Sequence, residues 1–349
     1  MSKERALNIL RSNTIRRDAY EKVTGRATYT TDISLPGMAH AKALRSPEGH
    51  ARITHIDSSI ARKIDGVYAV LTREDIKKYS DAELMPVFGY FIKDQPLVAI
   101  DKVLYKGDIV AAVAAKSEQI ANKALAAIKV EYEKLATVST IEEALDPNAV
   151  ELFESPPIGI VPPYGTGASG KLRSDKNICY TFNYETGSKS AFDKCDHIFE
   201  DEFKFSRMHH LHLEPFVTVA SWSADDKIEI WASCQNPFPL RKEISRIFKR
   251  PENDISVKVN YLGGGFGAKN NCKTEPIAVM LSRMAKRPVR FCLTAEEGFY
   301  TNTQHAAILK IKTGVMSDGT LVARESEILL DSGAYSDGSP LVAEKAGYR

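Results

Sequence analysis

The stretch DISVKVNYLGGGFGAKNNCKTEPIAVMLSRMAKR, Asp254–Arg287, joins a predicted strand to a predicted helix through a run of glycines. The apolar alternation before the run is typical of a strand. After the run, Thr274 is a natural N-cap, and Pro276 suits the first turn of a helix. In between, Gly263–Ala268 carries almost no side chains apart from Phe266. Such a run lets the backbone come very close to a nucleotide, to another cofactor or to another part of the protein.

Two nucleotide-binding motifs can be tested against this run. Read from Gly263 to Ala268, it fits the G-x-G-x-x-A fingerprint of dinucleotide sites. That fingerprint needs a helix N-terminus aimed at the pyrophosphate, but Lys269–Lys273 separate the run from the predicted cap. The phosphate-loop pattern fails as well, because Asn270 replaces the Ser or Thr that would bind magnesium. Another cofactor, or a turn that only lets strand and helix pack, remains open.

The composition is that of a soluble globular protein. The chain has 349 residues, enough for two domains, with 43% hydrophobic and 26% charged residues. A net charge of +2 gives no electrostatic reason to expect nucleic acid or a membrane surface as partner. No apolar run approaches the roughly 18 residues of a membrane span, and the N-terminus lacks the apolar core of a secretory signal. The five cysteines form no CxxC pair, which favours reduced thiols in a cytoplasmic protein.

Residues 1–150 are predicted to form one compact α/β domain. Short apolar runs at Tyr68–Thr72, Pro96–Ile100 and Asp108–Ala115 have the length and composition of strands. Ser117 is the predicted N-cap of a helix that follows the last of these runs.

Residues 151–176 are rich in Pro and Gly without periodicity, which predicts a linker. Residues 177–349 then alternate strands and helices, with one hairpin around Ala224–Lys227 and another turned at Asp318-Gly319. Between the hairpins, PLRKEISRIFKR has the apolar stripe of an amphipathic helix. The expected fold class is α+β.

Further motifs accompany the glycine run in a fixed order: H-x-x-x-E-P in MHHLHLEPFVTVASW, then S-x-Q-N-P, a helix, a strand and G-G-G-F-G-x-K. This order resembles the molybdopterin-binding large subunit of the xanthine dehydrogenase and aldehyde oxidase family of molybdenum hydroxylases. DAYEKVTGRATYTTDISLPGMAHAKALRSPEGHARI is similar to that family's hammerhead domain, and LLDSGAYSDGSP to its later part. The resemblance runs from Arg16 to Arg349. It implies a small α/β hammerhead domain followed by a mixed α/β molybdopterin-binding domain.

The resemblance also implies the site residues. Gln235, in the S-x-Q position, is expected to donate a hydrogen bond to the apical oxo ligand of molybdenum, since a neutral amide does so without competing as a ligand. Phe266 is expected to form an apolar wall beside the metal, and neither residue binds the metal directly. Read without the resemblance, Gln235 is an ordinary polar residue at a strand end. The implied cofactor-binding residues are Gln235, Gly264, Gly265, Phe266, Gly267 and Ala268.

Asn270 limits the substrates that can be expected. Family members that oxidise xanthine carry a glutamate at this position, directly after the lysine of the run. An amide can donate and accept hydrogen bonds but has no charge. The resemblance therefore leaves an aromatic heterocycle of the purine or nicotinate type and an aldehyde as alternatives.

His210, His212 and Glu214 would share one face of a strand, by the period of two. Read without the resemblance, this predicts a candidate zinc site. In the family the same H-x-x-x-E-P stretch is structural, so the resemblance favours a structural role.

The resemblance implies partner chains. The chain ends before the family's second molybdopterin domain and before the glutamate that acts as general base, so no catalytic residue is assigned here. The expected cofactor is molybdenum with molybdopterin, in the plain or the cytosine dinucleotide form. A second molybdopterin subunit, an iron–sulfur subunit and an FAD subunit are the expected partners. The alternatives are a truncated, non-catalytic assembly module of the same fold and a Rossmann-type nucleotide-binding oxidoreductase.

Overall fold

A computed structural model describes residues 15–153, 158–159 and 169–348. The helices are α1 (Ala19–Val23), α2 (Arg73–Ile76), α3 (Glu118–Ala126), α4 (Ile141–Leu145), α5 (Pro237–Phe248), α6 (Glu275–Ala285), α7 (Ala295–Thr301) and α8 (Ser339–Tyr348). The strands are β1 (Ala39–Arg45), β2 (Ala51–Asp57), β3 (Val67–Leu71), β4 (Val87–Phe88), β5 (Ile92–Lys93), β6 (Gln95–Pro96), β7 (Lys102–Val103), β8 (Ile109–Ala115), β9 (Lys129–Lys134), β10 (Ile158–Gly159), β11 (Ser169–Asp175), β12 (Ile178–Asn183), β13 (His197–Phe205), β14 (Val217–Trp222), β15 (Ile228–Ala232), β16 (Ile255–Lys258), β17 (Val289–Cys292), β18 (Ala306–Val315) and β19 (Leu321–Asp331). Within the described ranges, none of the helices has the length and apolar character needed to cross a membrane.

A mixed seven-stranded sheet in the order β16-β15-β14-β17-β1-β8-β3 forms the centre of the molecule. It takes strands from both regions that the sequence suggests, because β1 pairs in parallel with β17 and places Ala39 opposite Val289. One continuous apolar cluster also contains residues of both regions. The mixed helices and strands confirm the expected α+β class, while the division of the chain at residues 150 and 177 stays a prediction.

The sheet determines where the glycine run lies. Strands β15 and β16 are parallel neighbours, with Ile228 opposite Ile255, so the segments that follow them leave the sheet at the same edge. Gln235 follows β15, and the glycine run follows β16. Two segments that are far apart in the sequence therefore meet at one edge of the sheet.

Several local predictions are confirmed. The hydroxyl of Ser117 accepts a hydrogen bond from the backbone N–H of Ile120 at 3.3 Å and caps α3. Helix α5 buries Leu240, Ile244 and Ile247 on one stripe, as the periodicity predicts. Both predicted hairpins form, β14 with β15 and β18 with β19.

Other local predictions are wrong. Only the first residue of Pro96–Ile100 is in a strand, and the rest bends through the core. Leu97 and Ala99 are buried, but they donate their backbone N–H groups to Pro86 and Ile109, which are not partners in one ladder. The apolar run at Pro96–Ile100 therefore indicates burial and not a strand. Residues 154–157 and 160–168 of the predicted linker lie outside the described residues. Its last part contains β11, which pairs antiparallel with β12, and the linker as a whole stays a prediction.

We predict that Phe291→Ala destabilises both regions together. Phe291 is fully buried in β17 between Ala41 of β1 and Thr218 of β14. Its truncation should lower the free energy of unfolding by about 3–5 kcal/mol, as for other buried aromatics. Urea unfolding measures the loss, and hydrogen exchange should show β8 and β14 losing protection together. Phe238→Ala, at a side chain that is 73% exposed, is the matched control. Separate loss of protection in the two regions would contradict the shared core.

Candidate functional site

The side chain of Gln235 holds the second half of the glycine run. Its Oε1 accepts hydrogen bonds from the backbone N–H groups of Gly267 at 3.0 Å and Lys269 at 3.3 Å. Its own backbone N–H donates to the carbonyl of Lys269 at 2.8 Å. Because two N–H donors require the oxygen at that position, the orientation of the amide is fixed. The Nε2 group of Gln235 makes no hydrogen bond to any other described residue.

Glu214 holds the first half of the run. Its carboxylate accepts from the backbone N–H of Gly263 at 2.9 Å, and its backbone N–H donates to the Gly263 carbonyl at 3.0 Å. The same carboxylate lies 3.2 Å from the Lys269 ammonium, which also donates to the Glu214 carbonyl at 2.8 Å. The Lys269 side chain is fully buried, and burial lowers the pKa of its ammonium while Glu214 opposes that shift.

The glycines of the run are required for different reasons. A Cβ atom at Gly263 would lie 2.5 Å from the Cβ of Glu214, and one at Gly265 would lie 2.4 Å from Oε1 of Gln235. These two positions have no room for a side chain. A Cβ atom at Gly267 would make only ordinary contacts, but the φ of +97° is a conformation that other residues rarely adopt. A side chain at Gly265 would therefore displace Gln235 before it reached any ligand.

The middle of the run presents free backbone donors. The N–H groups of Gly264, Gly265 and Phe266 donate to no other group in the described ranges. Gly264 and Phe266 both have positive φ, +97° and +53°. Consecutive N–H groups in such turns form concavities that bind anions or oxygen atoms.

Phe266 is unusual in two respects. Its left-handed backbone is unfavourable for an aromatic residue, and its side chain is 73% exposed. The ring lies beside Gly264, where a Cβ atom would be 3.2 Å from it. Exposure of a large ring next to free N–H groups fits a wall that faces a ligand or another polypeptide, and that role stays a prediction.

Gly267 and Ala268 use their backbone N–H groups within the protein. Ala268 is buried, its N–H donates to Gly265 at 2.8 Å, and its carbonyl accepts from Asn302. The N–H of Gly267 donates to Gln235. Both residues anchor the loop through these bonds, and their part in cofactor binding stays a prediction. The contribution of Asn302 could not be expected, because it lies 34 residues from its partner without a recognisable motif.

Two polar side chains lie near the position that a Cβ atom would take at Gly267. Nδ2 of Asn270 lies 3.9 Å and Nε2 of His210 lies 4.0 Å from it. On the backbone side of the same residue, the oxygen of the Gln235 amide accepts from the N–H of Gly267. Asn236 donates to the Asn270 carbonyl at 3.2 Å and so fixes the exit of the loop. Asn236 was not predicted as a site residue, although it directly follows Gln235.

The predicted strand face of His210, His212 and Glu214 is wrong. This segment is irregular, and Leu211 within it has a left-handed φ of +51°. Nδ1 of His212 is hydrogen-bonded to the Glu214 carbonyl at 2.6 Å, and the Glu214 carboxylate forms an ion pair with Lys269. The described residues contain no group of three His, Cys, Asp or Glu side chains that could hold a metal ion. The structural role that the resemblance implies is the one that fits.

The N-terminus of helix α6 is not available to a ligand bound at the glycine run. The helix begins at Glu275 with Thr274 in the N-cap position, as predicted, but the Thr274 side chain makes no capping hydrogen bond and pairs with the Thr218 hydroxyl instead. The buried carboxylate of Glu275 accepts from the backbone N–H of Lys273 at 2.8 Å and occupies this helix end. A carboxylate already placed at the helix N-terminus would repel a pyrophosphate, so the geometry argues against a dinucleotide here.

Comparison with known proteins identifies relatives for most of the chain. Residues 172–349 match the family model of the molybdopterin cofactor-binding domain, and residues 24–136 match that of the aldehyde oxidase and xanthine dehydrogenase a/b hammerhead domain. The chain is 34% identical to a probable xanthine dehydrogenase component of Bacillus subtilis over 95% of its own length. It is 33% identical to the nicotinate dehydrogenase large molybdopterin subunit of Eubacterium barkeri over 97% of its length.

The described fold is similar to that of quinoline 2-oxidoreductase from Pseudomonas putida, with a TM-score of 0.75 and 30% identity over 92% of this chain. The matched region is 39% of that protein. The chain spans 41% of the Bacillus subtilis relative and 74% of the Eubacterium barkeri relative. These relatives therefore carry further sequence beyond the part that they share with this chain.

We predict that Lys269→Met destabilises the protein by about 3–5 kcal/mol, because it leaves the buried Glu214 carboxylate without its cation. Urea unfolding followed by circular dichroism measures the loss. Combining it with Glu214→Gln should recover part of the stability, since no uncompensated charge remains. Lys258→Met is the matched control, because its pair with Glu229 is exposed and contributes at most about 1 kcal/mol. Equal losses for the two single variants would refute the role of Lys269.

Proposed function

The chain belongs to the xanthine dehydrogenase and aldehyde oxidase family of molybdenum hydroxylases, and from this membership we propose that it forms one wall of a molybdopterin pocket. The proposed enzyme hydroxylates an aromatic heterocycle or an aldehyde with oxygen derived from water. It passes the electrons to iron–sulfur and flavin partners. The proposed location is the cytoplasm, in keeping with five cysteines that form no disulfide.

The orientation of Gln235 is the observation that carries this proposal. Its oxygen is held by two backbone N–H groups, so its Nε2 group is left as a fixed donor beside the glycine run. A neutral N–H donor suits an oxo ligand, because it stabilises the oxygen without replacing it. The free N–H groups of Gly264 and Phe266 add donors on the same loop. The residues present therefore fit a molybdenum centre with oxygen and sulfur ligands.

When bound, a molybdopterin centre supplies the hydroxylation chemistry and accepts the electrons. The residues of this chain would bind and orient it. Gln235 would donate to one of its oxygen ligands, the loop would bring backbone N–H groups close, and Phe266 would exclude water from one side. The general base is proposed to lie on another polypeptide, together with the second molybdopterin domain.

The substrate class follows from Asn270 and from the relatives. The side chain of Asn270 is exposed near Gly267, and its oxygen lies 3.4 Å from Nδ2 of Asn236. An uncharged amide at this position suits a heterocycle nitrogen or an aldehyde oxygen. Nicotinate dehydrogenase and quinoline 2-oxidoreductase among the relatives support a nitrogen heterocycle as the first class to test.

A non-catalytic assembly module of the same fold is the second candidate. Metal and pterin analysis of the complex purified from its native host distinguishes the two. The proposed function requires molybdenum and pterin in stoichiometric amounts. Their absence from an intact complex would refute the proposed function and favour the assembly module.

We predict that Gln235→Ala lowers turnover by about 10- to 100-fold, the usual effect of removing a hydrogen bond to a metal's ligand. Most of the pterin should remain bound, because the rest of the loop is held by Glu214. Steady-state kinetics and pterin content of the native complex are the measurements. Gln119→Ala, at an exposed position on α3, is the matched control. Unchanged turnover would show that Gln235 does not face the centre.

We predict that Asn270→Glu raises kcat/KM for a purine relative to nicotinate by about tenfold. A charged acceptor adds a hydrogen bond worth about 1.5–3 kcal/mol to the N–H groups of a purine and repels the nicotinate carboxylate. Competition assays with the two substrates measure the ratio. Asn253→Glu, at the other end of β16, is the matched control. An unchanged ratio of the two kcat/KM values would show that Asn270 does not contact the substrate.

A further inference from the structure

The three-stranded sheet β13-β18-β19 leaves one apolar face open. Register places Phe203 opposite Leu309, and Leu309 opposite Ile328, so these three side chains share a face. Phe203 and Phe205 are 47% and 53% exposed. We call this surface the open face; its apolar members are Phe199, Phe203, Phe205, Leu309, Ile311, Ile328 and Leu330.

The opposite face of the same sheet is different in character. It carries ion pairs across the strands, Glu200 with Lys312 at 3.0 Å and Lys310 with Glu327 at 2.9 Å. At its end, Ile308 is buried. Strict alternation along β13 therefore separates a charged face from an apolar one. A solvated sheet face would be expected to be polar, so the open face is the exception that requires an explanation.

The apolar character is concentrated at one end of the open face. The row Phe205, Ala307 and Leu330 is entirely apolar, as is the row Phe203, Leu309 and Ile328. Farther along, the rows contain polar residues, among them Asp201, Ser326, Thr313 and Arg324. The apolar end is thus a defined patch and not a general property of the sheet.

That apolar end adjoins the candidate cofactor site. Strand β13 ends at Phe205, and Arg207 then forms an ion pair with Asp331 at the end of β19 at 2.6 Å. The chain continues directly into the segment that contains His210 and Glu214. In that segment Leu213 is 98% exposed. Exposed apolar side chains therefore continue from the open face towards the glycine run.

We propose that the open face is the docking surface for the polypeptide that carries the rest of the molybdopterin-binding region. This inference rests on the proposed function. The Bacillus subtilis relative has more than half of its length outside the region that it shares with this chain, in the same polypeptide. A partner that completes the pocket has to reach the glycine run, and the apolar end of the open face lies next to it. Obligate interfaces of this kind are apolar, like a domain core divided in two.

The test uses the complex purified from its native host through a tag on this chain. Wild type is compared with Phe203→Ser/Phe205→Ser and with the matched control Ile198→Ser, which alters an exposed apolar residue on the opposite face of β13. Mass spectrometry identifies the partner and its stoichiometry. The open-face variant should retain at least tenfold less of a partner whose sequence matches the relatives beyond the shared region, and the control should retain it fully. Circular dichroism and thermal melting of each chain establish that the variants fold.

Other outcomes would overturn the proposal. Full retention of that partner by the folded double variant would show that it docks elsewhere. A wild-type chain that dimerises alone, and a double variant that is monomeric, would assign the open face to a second copy of this chain. Hydrogen exchange provides an independent measurement, because Phe203–Phe205 should exchange more slowly in the complex than in the free chain. Molybdenum and pterin content is measured on the same complex, so a complex without them refutes the proposed function while the docking result still stands.

Discussion

The buried ion pair between Lys269 and Glu214 is the constraint on which the site depends. A lysine whose side chain is wholly buried is stable only with its charge paired, and Glu214 supplies that pair. The same carboxylate binds Gly263, so the two ends of the run are fixed by one side chain. Gln235 then fixes the second half from the neighbouring strand end. The loop between these anchors keeps a strained backbone that its own sequence would not maintain.

This arrangement explains why the glycines of the run are required for different reasons. Gly263 and Gly265 are packed against the two anchoring side chains, so their role is to let the anchors approach. Gly264 and Gly267 supply positive φ angles, which other residues rarely adopt. Close approach of a ligand is thus a consequence of how the protein holds its own loop. A substitution at Gly265 acts first through Gln235, which differs from a direct clash with a cofactor.

The sequence predicts the local elements of the site well and the contacts between them poorly. The start of α6 after Thr274 and the stripe of α5 follow from capping and periodicity, and both are confirmed. The pairing of Glu214 with Lys269 spans 55 residues and has no local signal, although the motif order identified both segments. The irregular path near Leu211 was predicted as a strand, because alternating residues fit a strand until tertiary contacts override the pattern. The strand predicted at Pro96–Ile100 is wrong for a related reason, since burial alone does not distinguish a strand from a bent core segment.

Two kinds of group in the described part of the chain are left without partners. One is polar: the free N–H groups of Gly264 and Phe266 and the Nε2 group of Gln235 have no partner in the described ranges. The other is apolar: Phe266, Leu213 and the open face expose large side chains that a folded protein normally buries. A cofactor can satisfy the first but is too small to cover a sheet face, and a polypeptide can cover the second. A cofactor held between this chain and a second polypeptide would satisfy both, and for that reason the site and the docking surface are best understood as parts of one interface.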